Sequence, residues 1–457
     1  MRYTRGIPRL AALLLVLAAP SAAQANPFEQ QLANGLRVIV KEDHRAPTAV
    51  QMVWYRVGSI DETNGTTGVA HLLEHMMFKG TPSVGPGEFN RRVAAAGGRD
   101  NAFTNHDYTA YFQQVPKQKL EEVMQLEADR MRHLSLDPKE FAQEIKVVME
   151  ERRMRTDDQP QAMLFEQMSA VAFQANPYRV PVIGWMNDLE HMTAQDARDW
   201  YERWYVPNNA YVVIVGDVEH EQVFKLASTY YGPLKARALP ARKPQDEPAQ
   251  LGVRRLTVKA PAELPVVLMA YKVPVIRDVE KDVEPYALEM LSAILDGHDA
   301  ARLPKHLVRE QRLAVSAGSG YDSTSRGPGM FYLQGSPSEG KTPDALEAGF
   351  RAELVSIQKE GIGVDELARA KAQLVAAQIY KLDSMFAQAM EIGQMESVGI
   401  SYKLDNRMIE KLQAVTAEQV QAVAQKYFGD DSLTVAELDP QPLPQAPRPP
   451  SAAASRH

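Results

Sequence analysis

The 457-residue chain contains no cysteine, which excludes disulfides, thiolate zinc sites, iron–sulfur clusters and cysteine nucleophiles together. Any metal must therefore be held by His, Asp or Glu. The chain also lacks a long basic run. Lys+Arg of 51 against Asp+Glu of 58 leaves a formal net charge of −7, and because phosphate neutralisation needs clustered cations, no nucleic-acid partner is expected. Beyond the N-terminal residues no apolar stretch approaches the roughly 18–20 residues of a membrane-spanning helix, so no stable membrane span is expected. What is abundant is core material: 45% hydrophobic and 24% charged residues describe a folded globular protein.

The first 25 residues read as a secretory signal. Arg2, Arg5 and Arg9 precede an apolar run from Leu10 to Ala19, and Ala23-Gln24-Ala25 supplies the small-x-small pattern that signal peptidase needs. Cleavage there takes the formal charge from −7 to −10 and sends the mature chain to an exported compartment, expected to be the periplasm. From residue 26 the sequence reads as mixed α and β. Leu36–Lys41, Thr48–Tyr55 and Ala210–Val215 are rich in β-branched and aromatic residues and read as strands, while Pro116–His133 and Pro138–Arg155 read as helices. Pro233, Pro240, Pro244 and Pro248 among charged residues mark a solvated linker. The second half repeats the order of elements without repeating the residues, which suggests internal duplication. The expected division is an N-terminal domain at 26–235, a linker at 236–250, a C-terminal domain at 251–438 and a Pro-rich tail at 439–457.

The chemistry is concentrated in Gly68–Thr81. On a helix His71 and His75 lie four residues apart and share a face, where two imidazoles can reach one cation at about 2.0–2.1 Å. Glu74 sits one turn from His71, where a carboxylate can act as general base on a metal-bound water without being a ligand. A catalytic zinc site usually has three protein ligands and one open position. The third is sought in Glu144–Glu151, where the residues alone do not choose between Glu150 and Glu151.

His-x-x-Glu-His is the zincin order reversed, and the sequence resembles the inverted-zincin metallopeptidases that include pitrilysin, insulin-degrading enzyme and the mitochondrial processing peptidase. The resemblance extends through Gly98, Asn101-Ala102, Thr104, Asp107, Thr109 and Tyr111, then Asn176-Pro177-Tyr178, Pro181–Gly184, Tyr205 and Pro207–Asn209, to Gly216-Asp217. It implies an α+β protein of two similar domains, each a sheet covered by helices on one side, forming half of a clamshell. It places the third ligand at Glu151, 76 residues after His75, and gives Glu144 a supporting role behind the ligands. The implied cofactor is one Zn2+ per chain, and the implied activity is endopeptidase action on peptides or unfolded segments. Asn101–Phe112 is implied to be an exposed edge strand on which extended substrate adds, so Asn101, Ala102 and Phe103 are candidate substrate contacts. His106 reads as incidental.

The second half has no His-x-x-Glu-His. Active relatives carry an Arg/Tyr pair seven residues apart in a stretch like Leu-Arg-Glu-x-x-Gly-Leu-Ala-Tyr; here Arg309-Glu310-Gln311-Arg312-Leu313-Ala314-Val315-Ser316 keeps the arginine, a candidate substrate contact, and drops the glycine, which puts Val315 where tyrosine belongs. The resemblance therefore implies a homologous partner chain carrying the Arg/Tyr pair, in a heterodimer, with a homodimer using Tyr321 as the alternative. Two rival classes follow from the same residues. A non-catalytic scaffold subunit would predict loss of the zinc residues, all of which are present. A zinc lyase related to S-ribosylhomocysteine lyase is disfavoured by the absence of cysteine and by the duplicated organisation.

Overall fold

Thr48–Tyr55 is buried along nearly its whole length, as a near-continuous apolar run demands when both faces of a strand are covered. It forms the middle of the first sheet in this computed structural model, which describes residues 26–443; residues 1–25, expected to be a signal, and residues 444–457 of the expected tail lie outside the described residues. The first half contains β1 (Phe28–Gln31), β2 (Arg37–Glu42), β3 (Thr48–Tyr55), α1 (Val69–Met76), α2 (Glu88–Ala95), β4 (Arg99–Thr104) and β5 (Thr109–Pro116). It continues with α3 (Leu120–His133), α4 (Pro138–Arg152), α5 (Pro160–Ala172), α6 (Met186–His191), α7 (Ala194–Trp204), β6 (Ala210–Gly216) and α8 (His220–Tyr230). Residues 236–250 hold no helix or strand. The second half runs β7 (Arg254–Pro261), β8 (Val266–Val273), α9 (Glu284–Asp296), β9 (Ala314–Tyr321) and β10 (Gly329–Pro337). After these come α10 (Pro343–Glu360), α11 (Val364–Lys381), α12 (Met385–Ser397), α13 (Asp405–Ala414), α14 (Ala417–Tyr427) and β11 (Leu433–Gln441).

The sheet orders are β1-β2-β6-β3-β5-β4 and β7-β11-β8-β10-β9. Without β1, both follow one plan: first strand, last, second, fourth, third. The first and last strands pair in parallel in each half, and the other pairs are antiparallel. The duplication suggested by element order thus extends to topology and strand direction.

One expectation needs correction. Each sheet is covered on both faces, because the halves exchange a helix. α5 of the first half lies on β7, β8 and β11, where Leu164, Met168 and Ala172 pack with Val258, Leu268, Ala436 and Leu438. In return α12 lies on β3 and β6 of the first sheet. There the Tyr211 hydroxyl is 2.6 Å from both Gly393 O and Ser397 Oγ. Gly393 is required by this approach, since a Cβ would stand 2.0 Å from Trp54 Cε2.

The tail boundary also shifts, because Asp439–Gln441 belong to β11, paired in parallel with Lys259–Pro261. Pairing with β8 stops at Leu438, so Pro440 occupies a stretch with a strand on one side only and displaces no bond to β8. Finally, Asn101–Phe112 is a hairpin rather than one edge strand. Asn105 Oδ1 accepts from the backbone N–H of Asp107 and Tyr108, a turn-forming habit of asparagine, and of the hairpin's two strands β4 alone lies at a sheet edge.

Candidate metal centre

The start of α1 is fixed by backbone that only glycine tolerates. Gly68, with φ +88°, precedes the helix, and a Cβ there would lie 2.5 Å from Ile183 O. In place of a capping side chain at Gly68, the buried Glu62 carboxylate accepts from Gly68 N and Ala70 N at 2.8 Å each. Burial pushes this carboxyl up to about 8 despite those donors. Asp188 secures the preceding loop by accepting from Gly65 N, Thr67 N and Thr67 Oγ1. Val69, Ala70, Leu72, Leu73 and Met76 form the buried side of α1, so His71, Glu74 and His75 are held toward α4 and β4 by a packed apolar face.

The last turn of α4 brings Glu151 opposite both histidines. Its Oε2 lies 3.3 Å from His75 Nε2 and 3.8 Å from His71 Nε2, and ligand atoms of the three residues fall within 4.8 Å of one another. Tetrahedral ligands about 2.0–2.2 Å from one ion are about 3.3–3.6 Å apart, so the His75–Glu151 spacing already suits zinc and the His71 ring would close in on the ion. His71 supplies a second test of fit. Its Nε2 faces Glu151 Oε2 at 3.8 Å, beyond hydrogen-bond reach, so that nitrogen's lone pair is open to a cation, while its Nδ1 is buried with no hydrogen-bond partner among the described residues.

Supporting groups surround the triad. His75 Nδ1 donates to Glu144 Oε1 at 2.9 Å, which turns Nε2 toward Glu151, and Lys79 Nζ pairs with the other oxygen of Glu144. Glu151 Oε1 is held at 2.6 Å by Arg155, from the π-helical turn Arg153–Asp157 that continues α4. Glu150, the rival in the sequence, instead pairs with Arg153 on the exposed side. Burial keeps His71 neutral by pushing it down to about 4, with His75 adding to the effect. Burial opposes a charge on His75 as well, but Glu144 and Glu151 outweigh it and hold that ring at about 9. Glu74 is raised by burial, against the Thr104 hydroxyl that donates to its Oε2 at 2.6 Å.

The candidate substrate contacts separate. Asn101 and Ala102 lie on the edge strand beside α1, and Ala102 packs on the face that carries the metal helix. Phe103 points the other way, with its ring against Trp54, Tyr108 and Phe112, where it anchors the strand. Arg309 is exposed in the second half and donates to Asp299 O. Val315 is exposed and sits at the bulge where β9 and β10 shift register. The Tyr321 hydroxyl is committed to Pro274 O at 2.6 Å. His106 is structural: it bonds to Ser59 Oγ at 2.7 Å and stacks near Tyr178. Lys79, Thr104 and Arg155 escaped the sequence reading as site residues. Lys79 and Arg155 each stand one turn beyond a ligand, His75 and Glu151, which was a positional signal, and Thr104 lay in the segment that carries the resemblance.

Residues 37–184 match Insulinase (Peptidase family M16) and residues 191–374 match the Peptidase M16 inactive domain. Over 442 residues the chain is 32% identical to the zinc protease PqqE of Helicobacter pylori, covering 94% of this chain and 97% of that protein. The crystal structure of a protease from Helicobacter pylori is similar with a TM-score of 0.85 at 31% identity, over 90% of this chain and 99% of that one. The periplasmic protease PqqL of Escherichia coli shares the fold with a TM-score of 0.79 at 19% identity, over 92% of this chain but 48% of its own. The chain belongs to peptidase family M16. Within that family it is a two-sheet chain of the bacterial type, matching about half the length of PqqL.

Proposed function

We propose that this chain is the zinc-bearing subunit of an exported endopeptidase that hydrolyses peptides or unfolded segments. The observation that carries the reading is the convergence of His71, His75 and Glu151 on one point, with the buried carboxyl of Glu74 beside them. His71 and His75 through Nε2 and Glu151 through Oε2 would hold one Zn2+. When bound, the ion supplies Lewis-acid polarisation of the scissile carbonyl and a lowered water pKa. Glu144 holds the His75 ring in register through Nδ1, as carboxylates behind metal ligands do. Thr104 fixes Glu74 through Oε2, leaving Oε1 to take the proton of the attacking water and pass it to the leaving amine. Edge strand β4 offers unpaired main chain to an extended peptide, so recognition reads extension more than sequence.

The second half supports a partner-dependent enzyme. Val315 offers no hydrogen bond to a developing oxyanion, and losing one such donor costs about 10²–10³ in rate. A homologous chain that keeps an Arg/Tyr pair would complete the site across an interface, and the commitment of Tyr321 to Pro274 favours this over a homodimer. Export follows from the N-terminal signal pattern, with Asn26 as the mature N-terminus and the periplasm as destination. The test is incubation of zinc-loaded chain, alone and with a cell-envelope extract, against a mixed peptide library read by mass spectrometry. Cleavage that appears with the extract and vanishes in Glu74→Gln supports the reading. No cleavage under either condition leaves the scaffold reading in its place.

A further inference from the structure

Strand β2 carries three residues on the face that looks toward α12. Ile39 belongs to the core formed there, and alternation puts Arg37 and Lys41 on either side of it, two residues away in each direction. The two cations meet different surroundings. Arg37 is clamped by Glu396 of α12 and by Glu29. The Lys41 side chain makes no hydrogen bond or ion pair among the described residues and lines a cavity of about 600 Å³, within the roughly 300–1,000 Å³ of small-molecule sites. The cavity lies between β1–β2 and helices α11, α12 and α13, and its walls are mainly apolar, with Ile379, Ile392, Met395 and Ile409 among them.

Asn26, which also lines the cavity, would bring its α-ammonium on the proposed cleavage, and the other charged side chains there are largely paired. Glu29 pairs with Arg37 and Lys403, and Glu391 with Lys381. The Asp405 side chain, at the start of α13, makes no hydrogen bond or ion pair among the described residues; Asp405 and Lys41 attract each other without reaching ion-pair distance. Burial lowers the Lys41 ammonium and raises the Asp405 carboxyl, the response expected of charges held out of water without a close counter-ion. A cavity whose exposed wall is more apolar than polar, with one lysine and one aspartate left outside its ion pairs, suits an apolar zwitterion.

We propose that this cavity is a binding site for short apolar peptides, separate from the metal centre, in which Lys41 takes the α-carboxylate, Asp405 takes the α-ammonium and the surrounding aliphatic side chains receive the peptide's own. The site does not depend on zinc or on catalysis. Its ligand class is nonetheless what an endopeptidase releases, so occupancy would report accumulated product.

The test is calorimetric titration of the full chain, metal removed by chelator, with Leu-Leu, N-acetyl-Leu-Leu and Leu-Leu amide. Leu-Leu is expected to bind, and either cap to weaken binding at least about tenfold. Lys41→Met should erase the difference between Leu-Leu and its amide, and Asp405→Asn the difference between Leu-Leu and its acetyl form. His71→Ala should change neither. No binding of Leu-Leu, equal binding of all three probes, or loss of binding in His71→Ala with Lys41→Met unaffected would overturn the proposal. None of these outcomes bears on zinc-dependent cleavage, which is measured separately.

Discussion

The Thr104 hydroxyl holds Glu74 Oε2 at 2.6 Å across 30 residues of sequence, joining the end of the edge strand to the metal helix. The proposed proton carrier and the proposed substrate strand are therefore one mechanical unit. Thr104→Val keeps the shape and removes the bond. A hydrogen bond to a charged group contributes about 1.5–3 kcal/mol, so kcat is expected to fall roughly 10–100-fold with zinc content unchanged. Zinc loss in this variant would show that Thr104 supports the fold of the site rather than the carboxyl.

His71→Ala, His75→Ala and Glu151→Gln are each expected to lose zinc, measured by elemental analysis of the purified protein. Glu74→Gln should retain zinc and lose turnover. Glu144→Gln should lower zinc affinity about 10–100-fold, the usual effect of removing a carboxylate behind a ligand. Glu150→Gln should change nothing. Loss of metal in Glu150→Gln with Glu151→Gln intact would shift the ligand register by one residue. A chelator should leave the thermal melt largely in place, because cores of this extent do not depend on one ion.

Glu247 stitches the linker to both halves. Its carboxylate accepts from the N–H groups of Gln174, Ala175 and Asn176 and from Lys272. Burial opposes the charge, but these donors outweigh it and bring the group down to about 2 from an ordinary 4.5. With the folded value depressed, the stabilisation is fully present above pH 4.5 and is lost as pH falls toward 2. Glu247→Gln should therefore lower the denaturation midpoint at pH 7 and have little effect near pH 2. An equal loss at both pH values would mean that the side chain acts by packing alone.

Gly393→Ala pushes a methyl group into Trp54 at the junction of α12 with the first sheet. Overpacking of this kind costs about 1–3 kcal/mol, to be read from denaturant unfolding. Wild-type stability would mean that α12 can slide along the sheet.

Tyr321→Phe removes the bond to Pro274 O. The expected result is a stability loss of about 0.5–1.5 kcal/mol with unchanged cleavage in the presence of the partner chain. A large fall in kcat at unchanged stability would bring back the homodimer in which Tyr321 serves the reaction.

Residues that carry their own pattern were the legible ones. β3 and β6 read as strands because burial on both faces leaves a nearly unbroken apolar run, and His71, Glu74 and His75 because helical spacing alone puts them together. The third ligand needed the family resemblance, since Glu150 and Glu151 differ only in which side of α4 they occupy. β11 was hidden by composition: Asp439-Pro440-Gln441 reads as tail, and a parallel partner 180 residues earlier leaves no local trace. The helix exchange was hidden too. The face that α12 buries includes Gln388, Glu396 and Ser397, polar groups satisfied by Asp43, Arg37 and Tyr211, so hydropathy understates how deeply that helix is set.

That exchange imposes an order on synthesis. A chain made from its N-terminus completes β6, the last strand of the first sheet, at Gly216, yet the helix that closes one face of that sheet ends at Ser397. In the interval 397 − 216 = 181 further residues must emerge. Throughout it Trp54 and Tyr211 have no lid, and α5 has no sheet to cover. The unit of folding is therefore the whole two-sheet chain, and a fragment cut at the linker carries one bare sheet face and one orphaned helix. Separately expressed halves should recover their structure only when mixed, each supplying the helix the other is missing.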